Sequence, residues 1–236
     1  MDLEKQAAKL QKAIDESHFT VAVTGAGISL SSGGITFNRS NVKELMGLGS
    51  EDMLRNEPDK YYQLLDKAFL HSMFHGEPSV THRALRKLEQ DGKLQGIITT
   101  NVDCMHTIAG SENVAEIQGS LQINRCTKCY KRFDDYHIWG NGTVPRCDLC
   151  GDVIWTFPFY SHVGLHDGNV RKAQRWMAQA DLIIITGANG NYSDAYFNCR
   201  KRTATIIQIN PGHTWFDFTA DLNIHAKADD IFKYLL

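Results

Sequence analysis

His18-Phe19-Thr20-Val21-Ala22-Val23-Thr24-Gly25-Ala26-Gly27-Ile28-Ser29 is the stretch on which the fold class of this chain turns. Its first half is a short β-rich run, and its second half is a glycine turn. Leu94 to Thr100, of the form Gly-Ile-Ile-Thr-Thr, and Ala178 to Gly187, with Ala-Asp-Leu-Ile-Ile-Ile-Thr-Gly, repeat the pattern. Thr205-Ile-Ile-Gln-Ile-Asn210-Pro makes a further strand. Apolar runs without alternation are how parallel strands covered on both faces read. Helical patterns separate them. Leu3, Ala7, Leu10 and Ile14 recur at helical spacing between Asp2 and Ser17, and similar patterns follow at about 42 to 72 and 79 to 91. A closing helix is expected from Ala228 to Leu236. The combination predicts an α/β fold: a parallel sheet with helices on both faces.

The stretch from Gln122 to about Val153 breaks this rhythm. It is rich in Cys, Arg, Lys, Gly and Asn and holds two CxxC pairs, Cys126/Cys129 and Cys147/Cys150. Each CxxC turn presents two sulfurs on one side, and the intervening loop can fold the pairs into a closed tetrahedral thiolate shell. The expectation is a structural zinc site on a small inserted module of about residues 122–153. With four thiolates no coordination position stays open, so the metal takes no part in catalysis. Approximately 1–121 and 154–236 then form the main part of a single domain spanning 1–236.

Composition excludes several classes. The 236 residues are 42% hydrophobic and 22% charged, ordinary for a globular chain, and 25 Lys plus Arg against 27 Asp plus Glu leave a net charge of -2. No global field draws the chain to nucleic acid or to anionic lipid. The apolar runs, such as Leu182 to Ile185, are far shorter than the roughly 20 residues a membrane span requires. Met1-Asp2-Leu3-Glu4-Lys5 lacks the plan of a signal peptide. The expectation is a soluble cytoplasmic protein with no nucleic-acid or membrane partner. Cys199 is read as an ordinary buried thiol, whereas Cys104 lies within a suspected site.

Four polar or glycine clusters stand at strand ends, where open parallel sheets bind ligands. Gly25-Ala26-Gly27-Ile28-Ser29 lets backbone amides approach a pyrophosphate, although the same glycines suit a plain tight turn. Thr99-Thr100-Asn101-Val102-Asp103 offers hydrogen-bonding side chains, or an Asx turn that merely ends the strand. Gly187-Ala188-Asn189 and Ile209-Asn210-Pro211 point into the same crevice. Four such clusters together favour a dinucleotide site.

In order and spacing these residues resemble the sirtuins, the Sir2 family. Gly25-Ala26-Gly27-Ile28-Ser29 with Ser32-Gly33 resembles their GAGIS…SGI motif, and Pro78-Ser79-Val80-Thr81-His82-Arg83-Ala84-Leu85 looks like their PNxxHxAL helix start. Thr100-Asn101-Val102-Asp103 is similar to TQNID, the cysteine quartet falls where theirs does, and Gly187-Ala188-Asn189 and Ile209-Asn210 stand at their GTS and IN. The resemblance implies a Rossmann-like domain, a zinc-bearing small domain, and NAD split between nicotinamide and ribose. It implies the pyrophosphate on Gly25, Ala26 and Gly27 beside Ser29, the adenosine ribose near Gly187, Ala188, Asn189 and Asn210, and the nicotinamide near Asp103. Asn101 and Gln118 would hold the ribose hydroxyls.

Three positions depart from the family pattern. Sirtuin deacylases carry His-Gly where this chain has Gln118-Gly119, and a primary amide lacks the basicity of an imidazole with pKa near ~6.5. The usual Pro-Asp-Phe-Arg is Ile35-Thr36-Phe37-Asn38, with Arg39 one step later in place of the arginine. The stretch that pairs with an acyl-lysine peptide is Phe157-Pro158-Phe159-Tyr160-Ser161-His162-Val163, whose proline removes a ladder donor. Class M sirtuins, linked to macrodomains in bacteria, share Thr-Thr-Asn-Val-Asp and the glutamine. That branch implies ADP-ribosyl transfer to a protein acceptor, a lipoyl carrier protein, with a macrodomain protein as partner. Asn101, Asp103 and Gln118 are then the catalytic candidates, and Phe37 and Arg39 join the NAD contacts. Protein deacylation, NAD hydrolysis and a catalytically silent NAD sensor are the competing outcomes. His106, His162 and His166 are read as packing or surface residues, and Trp139, Trp155, Trp176 and Trp215 as core or hinge packing.

Overall fold

A computed structural model describes residues 2–33, 45–161 and 164–236. Its strands are β1 (Thr20–Thr24), β2 (Gly96–Thr99), β3 (Val114–Glu116), β4 (Ile123–Cys126), β5 (Arg132–Asp134), β6 (Ile154–Thr156), β7 (Leu182–Thr186), β8 (Thr205–Ile209) and β9 (Leu222–Ile224). Six of them form one parallel sheet in the order β3-β2-β1-β7-β8-β9. This is the doubly wound order of a dinucleotide-binding fold, and its reversal lies between β1 and β7. β5-β4-β6 make a separate antiparallel sheet that carries Cys126.

The helices are α1 (Leu3–Glu16), α2 (Glu51–Asn56), α3 (Pro58–Leu65), α4 (His71–His75), α5 (Val80–Gln90), α6 (Met105–Ile108), α7 (Phe157–Tyr160), α8 (Asp167–Met177) and α9 (Ala228–Phe232). Along the central strands successive side chains leave by opposite faces, which divides the core in two. Ala22, Ile97, Ile184 and Ile207 pack with Leu10 and Ile14 of α1, Leu85 of α5 and Ile231 of α9. Val21, Val23, Ile98, Ile183 and Ile185 pack with Ala173 and Met177 of α8. Each fully buried Leu or Ile contributes about 1.5–3 kcal/mol relative to exposure. Both faces are thus covered, as unbroken apolar strands require.

Two predicted elements differ in form. The helical pattern at about 42 to 72 is broken into pieces within the described residues, because Pro58 has no N–H to continue a helix and instead opens α3. A wider π turn at Asp66–Leu70 then leads into α4. Phe157–Tyr160 is a helical turn with Pro158 at its start, where a peptide-pairing strand stands in the sequence resemblance. β9 and α8 had no distinct signal, being respectively too short and too polar to stand out.

Most tryptophan readings hold, with one exception. Trp139 is fully buried and donates from Nε1 to Asn124 Oδ1 at 3.0 Å, and Trp155 donates to Tyr61 Oη at 3.0 Å. Trp215, by contrast, is 78% exposed. Cys199 is also exposed rather than buried, because it ends a surface turn at Phe197–Cys199. Among the described residues no helix is long and apolar enough to cross a membrane.

Candidate active site

Three glycines decide how the ends of β1 and β7 meet. A Cβ on Gly25 would lie 2.8 Å from the Gly187 carbonyl oxygen, and one on Gly27 would lie 2.8 Å from the Gly187 Cα. Gly187 itself has φ +60°, and a Cβ there would lie 2.6 Å from the Ile28 nitrogen. The two turns therefore nest against each other, locked by the Gly27 N–H donating to Gly187 O at 2.9 Å. Ile28 N–H and Ser29 N–H close the same turn on Gly25 O and Ala26 O. The amides of residues 27–29 are thus committed locally, which leaves the turn to approach a ligand through Gly25 and Ala26. Gly187→Ala adds a clash to a left-handed backbone, and a loss of at least about 2 kcal/mol in urea unfolding is expected. A wild-type midpoint in that variant would show that the two turns can separate at little cost.

The end of β2 supplies a polar chain. Asn101 N–H donates to Thr99 Oγ1 at 3.0 Å, so Thr99 closes the turn and the Asn101 side chain is free to reach across. Its Nδ2 donates to Ser29 Oγ at 3.0 Å and to Gly25 O at 3.3 Å. Ser29 Oγ donates onward to Asp103 Oδ2 at 2.7 Å, and Met105 N–H donates to Asp103 Oδ1 at 3.1 Å. Asn101, Ser29 and Asp103 are all buried. Cys104 follows with φ 58°, which turns the chain into α6 and leaves the thiol buried rather than lining the cavity. Cys104, which lies within the suspected site in sequence, is accordingly a packing residue, and burial pushes its thiol well above the ordinary range.

Gln118 follows the end of β3. Ile117 is fully buried beneath it, and Gly119 takes φ +70° against the Phe157 ring, where a Cβ would meet Cδ1 at 2.3 Å. That contact fixes the direction in which residue 118 leaves the backbone. Gly25, Ala26, Gly27, Ser29, Asn101, Asp103, Gln118, Gly187, Ala188, Asn189 and Asn210 all line one cavity of about 870 Å³. Its size lies in the upper part of the range for ligand pockets. Asn210 is fixed by donating from Nδ2 to Ala188 O at 2.7 Å. Phe37 and Arg39 lie outside the described residues, as do His162 and Val163.

Other parts of the wall had no readable signal. Leu45, Ala68, Phe69, Val102 and Phe159 give it an apolar side, and Tyr192, Tyr196, His213 and Phe216 come from the segments after β7 and β8. Apolar residues on a helix read as core in any sequence, so only their tertiary position reveals them. His106 is buried, bonded through Nε2 to Thr24 Oγ1 at 2.9 Å, and absent from the described lining. Its burial keeps it neutral. His82 closes the capping box of α5 with Ser79. His166 caps α8 by accepting from Asn169 N–H at 3.3 Å, a structural role rather than a solvated one.

Glu116, two residues before Gln118, is buried, and its carboxyl is pushed up to about 7 by that burial, against a hydrogen bond from Gln122 Nε2 at 3.0 Å. Between the ordinary carboxylate range and pH 7 the folded state holds this proton while the unfolded state has lost it. Stability from this group is therefore lost as pH rises through that window. Glu116→Gln should gain on the wild type by up to about 3 kcal/mol between pH 4.5 and 8. Urea unfolding at both pH values measures it, and a difference independent of pH would contradict the raised affinity.

The four cysteines gather apart from the cavity. Cys126 Sγ lies 3.4 Å from Cys150 Sγ and Cys129 Sγ 3.6 Å from Cys147 Sγ, with all four within 4.8 Å of one another. Thiolates at about 2.3 Å from a tetrahedral zinc ion stand roughly 3.8 Å apart, whereas a disulfide needs about 2.05 Å. Lys128 N–H and Cys129 N–H both point at Cys126 Sγ at 3.4 Å, favouring the thiolate. The donor set fits structural zinc.

The chain is similar to known proteins in sequence and fold. A family model described as Sir2 family matches residues 25–193. A protein of Archaeoglobus fulgidus named NAD-dependent protein deacylase 1 is 32% identical over 238 residues, covering 97% of this chain and 96% of that protein. An NAD-dependent protein deacetylase of Clostridium acetobutylicum is 31% identical, covering 96% of this chain and 95% of its own. Among solved structures, a Sir2 homologue in complex with NAD is 31% identical with a TM-score of 0.81, covering 97% of this chain and 91% of that one. A Sir2 protein bound to a propionylated peptide is 27% identical with a TM-score of 0.78, covering 97% and 96%.

Proposed function

This chain belongs to the Sir2 family, and from that premise we propose that it is an NAD-dependent enzyme that cleaves the nicotinamide–ribose bond in the service of modifying a protein. The observation that carries the reading is the convergence of strand-end residues from β1, β2, β7 and β8, with Gln118 beyond β3, on one cavity at the reversal of the sheet. The names of the relatives favour protein deacylation as the outcome. A second reading, ADP-ribosyl transfer to a protein acceptor as in class M sirtuins, is favoured by Gln118 and by the helical turn at Pro158. Lipoyl carrier and macrodomain partners belong to that second reading alone.

In this proposal Gly25 and Ala26 face the pyrophosphate, while Gly187, Ala188, Asn189 and Asn210 flank the adenosine ribose. Phe37 and Arg39 complete the contacts. Bound NAD supplies a glycosidic bond whose loosening builds positive charge on the ribose carbon. The Asn101–Ser29–Asp103 chain holds its dipoles and its carboxylate in place before the ligand arrives, and such fixed groups stabilise developing charge better than mobile water. Gln118 donates and accepts hydrogen bonds at the ribose hydroxyls without removing a proton. The zinc cluster has only a structural part in the proposal.

The test is incubation of zinc-replete protein with NAD labelled in its adenine half, alone, with an acetyl-lysine peptide, and with a lipoylated carrier protein. Peptide deacetylation matched to nicotinamide release supports deacylation, and label on protein supports transfer. Nicotinamide release with water alone identifies a hydrolase. Tight NAD binding with no turnover would overturn the enzyme reading in favour of a sensor.

A further inference from the structure

The parallel pairing of β8 and β9 aligns Ile209 with Ile224 at the edge of the sheet. The chain leaving β8 reaches His213 in four residues, and the chain leaving β9 reaches His225 in one. Between them the turn Trp215–Phe218 carries Asp217. His213 Nδ1 lies 2.6 Å from Asp217 Oδ2, and the His213 and His225 rings stand 5.1 Å apart at 67°. One ligand atom from each of the three residues lies within 4.8 Å of the others.

The carboxylate is held from behind. Asp217 Oδ1 accepts from Thr214 N–H at 3.1 Å and from Gln208 Nε2, and buried Gln208 also donates to Asn223 Oδ1 at 2.9 Å. Residues of both strands thus orient Asp217 and leave Oδ2 facing the histidines, as outer partners orient metal ligands. A His–Asp pair alone accounts for His213 and Asp217. It gives no reason for the second imidazole.

We propose that His213, Asp217 and His225 form a second metal site, separate from the cysteine cluster, for a borderline divalent transition cation such as zinc, cobalt or nickel. Two imidazoles and one carboxylate suit these ions, whereas magnesium and calcium call for oxygen ligands. Ligand atoms about 2.1 Å from a tetrahedral ion are roughly 3.4 Å apart. The site requires the exposed histidines to rotate, so that the His213–Asp217 contact opens and His225 closes in. Three protein ligands leave a position for water or for an oxygen donor. Because His213 also lines the main cavity, that position lies at its rim.

The experiment uses full-length protein with its cysteine cluster loaded with zinc, titrated with cobalt(II) by calorimetry and visible absorption. One further equivalent is expected, with ligand-field bands of a nitrogen and oxygen site and no thiolate charge-transfer band. His213→Ala and His225→Ala, both at exposed positions, are each expected to weaken that binding about tenfold or more, and Asp217→Asn to weaken it while keeping the backing hydrogen bonds. Absence of a further equivalent overturns the proposal. So does binding that survives both histidine substitutions, or that disappears in His71→Ala, since His71 and His75 form another exposed histidine pair 5.1 Å apart on α4.

Discussion

Gln118→His is expected to raise deacylation of an acetyl-lysine peptide by about 10²-fold or more, while total nicotinamide release changes far less. The amide at 118 can hold a hydroxyl but cannot take its proton, whereas imidazole, with a pKa near ~6.5, exchanges protons at neutral pH. Gly119, pressed against Phe157 at φ +70°, keeps the backbone direction unchanged, so the new side chain enters the same half-buried position. The gained activity should rise through pH 6 to 7 as the imidazole loses its proton. Deacetylated peptide followed by mass spectrometry at several pH values measures both effects. A folded variant that binds NAD but gains nothing would place residue 118 outside the proton path. A wild type that already deacetylates rapidly and is slowed by the substitution would establish the deacylase reading and require another base.

Cys126→Ser should abolish zinc retention and unfold the small antiparallel sheet. Structural zinc contributes on the order of 10 kcal/mol in small domains, and the apolar cluster around this metal is slight: Cys126, Cys147 and Ile154 buried, with Phe133 and Ile138 against them. Without the ion, four thiols are left with little core to hold them. The damage should spread, because Trp139, Val153 and Trp155 from this part pack with Leu48, Tyr61 and Leu65 of the helical segment that supplies the cavity's apolar wall. Zinc content by mass spectrometry, near-ultraviolet dichroism and limited proteolysis provide the readout, with cleavage expected between residues 126 and 154. A metal-free protein that resists protease as the wild type does would remove the structural role of the cluster.

Much of the candidate site is local in sequence and therefore legible there. Thr24-Gly25-Ala26-Gly27 and Thr186-Gly187 are strands running into turns, and Thr99 to Asp103 is a polar sequence at a strand end; each is visible within a window of ten residues. Their meaning changed on folding. The glycines look like a cradle for phosphate, yet Gly25, Gly27 and Gly187 serve first to let two turns interlock. Cys104 sits beside Asp103 in sequence and still stays out of the cavity lining, because its own backbone is left-handed and its side chain is buried.

The sequence by itself determined the α/β class, the parallel strands, the glycine turns and the thiolate quartet, since hydrophobic period, turn chemistry and CxxC spacing are properties of neighbouring residues. Only the tertiary structure decided that β1 lies between β2 and β7, that Leu45, Phe69 and Phe159 wall the cavity, and that His213, Asp217 and His225 converge. Strand order and side-chain convergence depend on contacts between residues far apart in the chain, where packing of whole faces outweighs any local preference.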